Sequence, residues 1–193
     1  MARGRPLFVQ KVRASHPDSK VEVWFEDEAR FGQKGTLTTV WAETGSRPRA
    51  PKQGGFKSLH VFTAVCPATG QAEGLIAEHV NADTTQKFLD GLSKTIDPSK
   101  HVALIWDGAG YHRAKALVVP ANITLVSLPP RSPELNPTEN LWHYLRSHHW
   151  SNRTYANLDA VERAAVKGWR QVCLTPQRIR NICACSYLPI GSC

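Results

Sequence analysis

Long apolar runs are missing from this chain. No stretch approaches the ~20 residues that a membrane-crossing helix needs, which excludes a helical membrane protein. The basic N-terminus is not followed by an apolar segment, so no secretory leader is expected and a cytoplasmic, nucleoid-associated protein is. Cysteines are few, odd in number and crowded toward one end: Cys66, Cys173, Cys183, Cys185 and Cys193. Cys183-Ala184-Cys185 is not a zinc-knuckle spacing and has no second pair, so reduced thiols are expected rather than a disulfide frame or a zinc site. There is no HExxH, GxSxG or phosphate-cradling P-loop, which removes the usual zinc-protease, serine-hydrolase and nucleotide-hydrolase signatures. Acids are also scarce, 16 Asp and Glu against 24 Lys and Arg, giving a formal net charge of +8 and a pI of about 9.5. A basic balance of that size suits nucleic acid, an anionic membrane surface or simple solubility.

The 193 residues and six Trp give enough material for one ordinary domain with a full core. Residues 1–20 are polar and basic, broken by Pro6 and Pro17, and read as an N-terminal arm; residues 21–193 read as one domain. Arg3-Gly4-Arg5-Pro6 matches the core of a minor-groove AT-hook, although a basic tail produces such a match cheaply. Strands are expected at Val21–Phe25, Thr36–Ala42, Leu59–Val65, Gly74–Glu78, Val102–Trp106 and Ile123–Leu128. Helices are expected from an Asp83 cap through Ile96, around Ala114–Val118, from Pro137 to His149, from Leu158 to Val172, and for a turn after Thr175-Pro176. A strand meander followed by alternating strands and helices predicts an α/β mixed sheet with helices on both faces. The Val21 and Val102 strands can then lie side by side.

Three acids stand where that order would bring them together. Val21-Glu22-Val23-Trp24-Phe25 leads into Glu26-Asp27-Glu28, and three acids in a row ordinarily mark a solvated strand end. If Val21, Val23 and Phe25 face inward, alternation puts Asp27 on the same face and turns Glu26 and Glu28 away. Asp107 ends the apolar run Val102-Ala103-Leu104-Ile105-Trp106; the plain alternative is a turn or cap residue before Tyr111-His112. Glu139 follows the stiff run Leu128-Pro129-Pro130-Arg131-Ser132-Pro133-Glu134-Leu135-Asn136-Pro137-Thr138, whose prolines forbid helix or strand until a new helix begins. An acid in a first helical turn can serve the helix dipole alone. Two carboxylates at strand ends and a third at a helix start nevertheless describe a two-metal phosphoryl-transfer site, and Mg²⁺ needs few protein oxygens. A structural or capping role suffices for His112. Arg47, Arg49, Lys52 and Lys57 lie in or beside a Pro- and Gly-rich loop and are candidate phosphate contacts, although a solvated loop explains each singly.

Phe25-Glu26-Asp27-Glu28-Ala29-Arg30-Phe31-Gly32, Trp106-Asp107-Gly108-Ala109-Gly110-Tyr111-His112, and the proline run through Glu139-Asn140-Leu141-Trp142 together resemble the three blocks of a DDE transposase. The bacterial insertion-sequence branch of the mariner superfamily is the best likeness, over residues 10–190. The resemblance implies a ribonuclease-H-like fold, two Mg²⁺ ions with Mn²⁺ as substitute, and DNA cleavage followed by transfer of the 3′-OH end into target DNA. Carried over by position, it makes Asp27, Asp107 and Glu139 the catalytic and metal-binding acids. Thr138 stands where the family more often has Ile or Val, and the 31 residues between Asp107 and Glu139 are slightly fewer than its usual spacing. The resemblance further implies double-stranded DNA as partner and a homodimer. Only about twenty residues precede the first strand, where relatives carry a helix-turn-helix region, so a separate end-recognition polypeptide is a further expected partner. Two other functions fit the same acids: a ribonuclease-H-like nuclease or resolvase without strand transfer, and a DNA-binding relic without catalysis.

Overall fold

The computed structural model describes residues 7–107 and 117–185. The elements run α1 (Leu7–Ser15), β1 (Lys20–Gly32), β2 (Ser58–Cys66), β3 (Gln71–Ala77), α2 (Ala82–Thr95), β4 (Lys100–Trp106), β5 (Ile123–Ser127), α3 (Thr138–Leu145), α4 (Leu158–Cys173) and α5 (Pro176–Ile182). The strands form one sheet in the order β3-β2-β1-β4-β5. β2 is antiparallel to both β1 and β3, while β1, β4 and β5 run parallel. This is the expected mixed sheet, with β1 at its centre.

Two cores explain why β4 is continuously apolar from Val102 to Trp106. On one face Trp24, Phe62, Val102, Leu104 and Trp106 pack against Phe88, Leu89 and Leu92 of α2. On the other, Phe25, Val61, Val65 and Ile105 pack against Leu141, Trp142 and Leu145 of α3, Val161 and Ala165 of α4, and Ile179 of α5. Each such side chain taken fully from water contributes roughly 1.5–3 kcal/mol. A strand buried on both faces carries no polar–apolar alternation.

Several local expectations need correction. No strand forms at Thr36–Ala42: residues 33–57 make an extended arm between β1 and β2. β2 already occupies the β1 edge that such a hairpin would need. The arm is instead tied to the chain beyond α3, where Asn152 donates to the Thr38 carbonyl (3.0 Å) and accepts from its N–H (3.1 Å). Asn81, not Asp83, caps α2: its side chain accepts from the Thr84 N–H, and the Thr84 hydroxyl accepts from the Asn81 N–H. Asp83 sits in the first turn and pairs with Lys87 at 2.7 Å. Within the supposed N-terminal arm, Leu7–Ser15 is helical, and Val12 packs on Val21 and Ala103. The helix after Pro137 is regular only to Leu145, then widens into a π turn, Arg146–Trp150. The AT-hook match and most of the short helix expected at 114–118 lie outside the described residues; residues 117 and 118 are not helical.

Gly168 lets α4 approach that π turn. A Cβ there would come within 2.6 Å of the Trp150 indole nitrogen and 3.2 Å of the His149 Cβ. Trp150 is 1% exposed and stacks on Phe31, so it has little room to withdraw. Gly168→Ala is therefore expected to destabilise the fold by about 1–3 kcal/mol, the overpacking range, despite alanine's better helix propensity. Chemical denaturation checks this; equal or greater stability in the variant would contradict it.

Candidate active site

The parallel register of β1 and β4 ends at Phe25↔Ile105. Two residues further on, the same alternation carries Asp27 and Asp107 onto one face at the carboxyl ends of neighbouring parallel strands. In open sheets of this kind that end is where ligands are usually met.

Beyond the last β1–β4 pair, the proline loop takes over the bonding. Asn136 donates its side-chain amide to the Glu26 carbonyl at 2.9 Å and accepts the Thr138 N–H at 3.1 Å. The Thr138 hydroxyl donates to the Phe25 carbonyl at 3.2 Å. Asn136 and Thr138 are both buried, so neither could lose its partner cheaply. The clamp holds the first turn of α3 against β1, with Glu139 in that turn. Asp27, Asp107 and Glu139 then line one cleft of about 350 Å³, walled by the loop from Leu128 to Pro133.

Asp27 is the most constrained of the three. Its Oδ2 accepts the Trp142 indole N–H at 2.9 Å. Burial, and next the carboxylate of Glu139, push its carboxyl up to about 7, while the Trp142 hydrogen bond works in the other direction. Neither Lys87–Asp83 nor Lys100–Glu22, ion pairs among the described residues, involves Asp27 or Glu139. Trp142 is a site residue that sequence reasoning left without a role. The available signal was its place three positions after Glu139, on the same helix face.

Glu26 does turn away from Asp27, as alternation requires, but it is 1% exposed rather than solvated. Its carboxyl is raised well above the usual range by burial first, then by Glu28, Asp27 and Asp107. Alternation separates the two faces of a strand; on a central strand it does not separate buried from exposed. Gly108–His112, which follow Asp107 in the second sequence block, lie outside the described residues.

Arg47, Arg49, Lys52 and Lys57 are all exposed on the arm, and none lines the cleft. The arm also carries Lys34, one acid (Glu43), a fully exposed Trp41 and an exposed Phe56. Gln33 and Gln53 both donate to the Tyr155 carbonyl at 2.8 Å, fixing the arm's two ends to the same point.

The cleft suits a hard divalent cation chemically. It offers carboxylate oxygens, which Mg²⁺ prefers, and Asp27 sits beside like charge that a cation would relieve. Among the described residues, however, no three His, Cys, Asp or Glu side chains already converge closely enough to hold one ion together. That is compatible with Mg²⁺, which binds through one or two carboxylates and keeps several waters.

Residues 22–162 match the family model described as DDE superfamily endonuclease. An uncharacterised protein of Sinorhizobium fredii, y4pE/y4sA, is 38% identical over 123 residues, covering 64% of this chain and 91% of that protein. Among solved structures, the Mos1 transposase paired-end complex with left transposon end superposes with a TM-score of 0.59 at 15% identity, over 92% of this chain and 58% of that one. The Mos1 mariner paired-end complex with Mn gives 0.57 at 17% identity, over 89% and 58%. The Mos1 strand transfer complex gives 0.56 at 15% identity, over 92% and 57%. The fold is thus ribonuclease-H-like, and the chain spans a little over half the length of the solved chains it matches.

The raised Asp27 carboxyl sets a pH dependence. An unfolded Asp titrates near ~3.9, so folding favours the protonated form, and the stability this gives falls as pH rises from about 4 through about 7. Asp27→Asn is expected to match the parent near pH 4 and to exceed it at pH 8 by ~2–4 kcal/mol. Mg²⁺ or Mn²⁺ should narrow the gap at pH 8 by stabilising the parent alone. Melting curves at the two pH values check this; a gap that does not change with pH contradicts it.

Proposed function

Because the chain belongs to the DDE superfamily endonuclease family, we propose that its three-acid cleft cuts and joins DNA strands as the catalytic domain of a transposase. The observation that carries the reading is the meeting of Asp27, Asp107 and Glu139 in one cleft from three separate elements. The solved relatives, complexes with a transposon end and with Mg or Mn, support DNA as substrate and a divalent ion as cofactor.

Asp27, Asp107 and Glu139 would hold two Mg²⁺ or Mn²⁺ ions. Bound there, the ions would supply Lewis-acid stabilisation of charge developing on the attacking and leaving oxygens. The chain's own part is positional. Trp142 fixes one oxygen of Asp27, and the Glu28 backbone N–H also bonds that carboxylate. Asn136 and Thr138 fix the helix start that carries Glu139. The cationic arm, with Arg47, Arg49, Lys52 and Lys57, would hold duplex backbone outside the cleft, with affinity that falls steeply as salt rises. A homodimer completes the proposal. No helix among the described residues is long and apolar enough to cross a membrane, in keeping with a DNA-acting protein in the cytoplasm.

The deciding assay is nicking of supercoiled plasmid in Mg²⁺ or Mn²⁺, followed by joining of a labelled 3′-OH end to a second duplex. Asp107→Asn is expected to lose nicking by ~10²-fold or more, the scale of removing one electrostatic catalytic element. Equal nicking by parent and variant removes Asp107 from the reaction. Nicking without joining supports a nuclease in place of a transposase. Trp142→Phe, which keeps a ring but deletes the donor, is expected to weaken Mn²⁺ binding by ~10-fold in a thermal-shift titration. An unchanged Mn²⁺ midpoint would contradict a positioning role for the indole.

A further inference from the structure

Arg131 is the one cation among the described residues that line the acidic cleft. It sits between Pro130 and Ser132 with φ +58, a left-handed conformation that favours glycine and is costly for a side chain with a Cβ. A glycine or asparagine would make the same turn at lower cost. Arg131 is exposed, and no ion pair among the described residues engages it, even though three carboxylates line the same cleft. Its backbone is held on both sides: the loop runs from Leu128, whose N–H donates to the Trp106 carbonyl at 2.8 Å, to Asn136, clamped on β1. The strained residue is therefore placed by its neighbours on both sides.

Resting on the transposase reading above, we propose that Arg131 is a substrate-binding residue that grips a backbone phosphate of the reacting DNA strand at the cleft mouth. A cleft of carboxylates repels DNA, and none of the arm cations lines it. A guanidinium at the rim offers a planar fork that matches two phosphate oxygens. It contacts the strand being cut, whereas the arm meets the duplex further off. The left-handed turn is the cost of projecting that fork from a loop otherwise stiffened by prolines.

The test compares Arg131→Ala, Arg131→Lys and Arg131→Gly with the parent chain. Affinity for a fluorescent duplex oligonucleotide is read by anisotropy across a KCl series, beside plasmid nicking in Mn²⁺ and the Mn²⁺ thermal shift. Arg131→Ala is expected to weaken DNA binding ~10-fold and to reduce the slope of log affinity against log salt by about one. Arg131→Lys should keep the salt slope while recovering only part of the affinity. Arg131→Gly should match the alanine variant on DNA yet melt no lower than it, since glycine accepts the backbone conformation. The Mn²⁺ shift should stay unchanged in all three. Parent-like affinity and salt slope in Arg131→Ala overturn the proposal, as does loss of the Mn²⁺ shift together with binding, which would mark a collapsed loop. A parent chain that binds duplex through Arg131 but never nicks would sink the catalytic reading and leave this one standing.

Discussion

Everything at the proposed centre depends on two side chains bonding to the backbone of a strand. Past Phe25, β1 has lost its parallel neighbour, and Asn136 and Thr138 supply donors to the carbonyls of Glu26 and Phe25. Each bond is worth only about 1 kcal/mol net, but breaking one leaves a buried polar group without its partner. The clamp also sets geometry. It sits within three residues of Glu139 on one side and adjoins Asp27 on the other, so it fixes their separation without either acid contributing. Thr138 suits this role because its hydroxyl bonds while its methyl stays buried, which a valine or isoleucine could not do with the same carbonyl.

The central strand shows two ways of burying a carboxylate. Glu22, 2% exposed, is neutralised within the protein: Lys100 lies 2.8 Å away, and the Trp24 indole N–H donates to it at 3.2 Å. Asp27, five residues on, has an indole donor of the same kind but faces Glu139 where Glu22 faces a lysine. A structural acid acquires its counter-charge on folding. One whose neighbour is another acid keeps a deficit that an external cation can fill, and that contrast on a single strand separates ion pair from site.

Much of this was legible from residue order. The proline run left room only for a short 3-10 turn, Pro133–Leu135, before Pro137, the apolar run before Asp107 marked a buried strand, and the Val21 and Val102 strands could lie side by side, as β1 and β4 do. The fate of Glu26 was not legible, because two-faced burial of a central strand erases the alternation from which solvent exposure is inferred. β-branched residues at Thr36–Ala42 mimic a strand, but β2 takes the antiparallel place beside β1 and the arm's Thr38 bonds to Asn152 instead. Asn81 was passed over as a cap because Asp83 offers the same chemistry two residues later. Trp142 and Arg131 both lay inside the most specific motif. Their roles depend on distance to Asp27 and on a backbone φ, neither of which a one-dimensional pattern contains.

The most direct test of the central claim, that the clamp assembles a divalent-ion site from Asp27, Asp107 and Glu139, is anomalous diffraction from crystals soaked in Mn²⁺. The account predicts Mn peaks in the cleft within bonding reach of these carboxylates, lost from Asp27→Asn crystals. Crystals whose only Mn sites lie away from the cleft, with the three acids ordered and vacant between them, would contradict it.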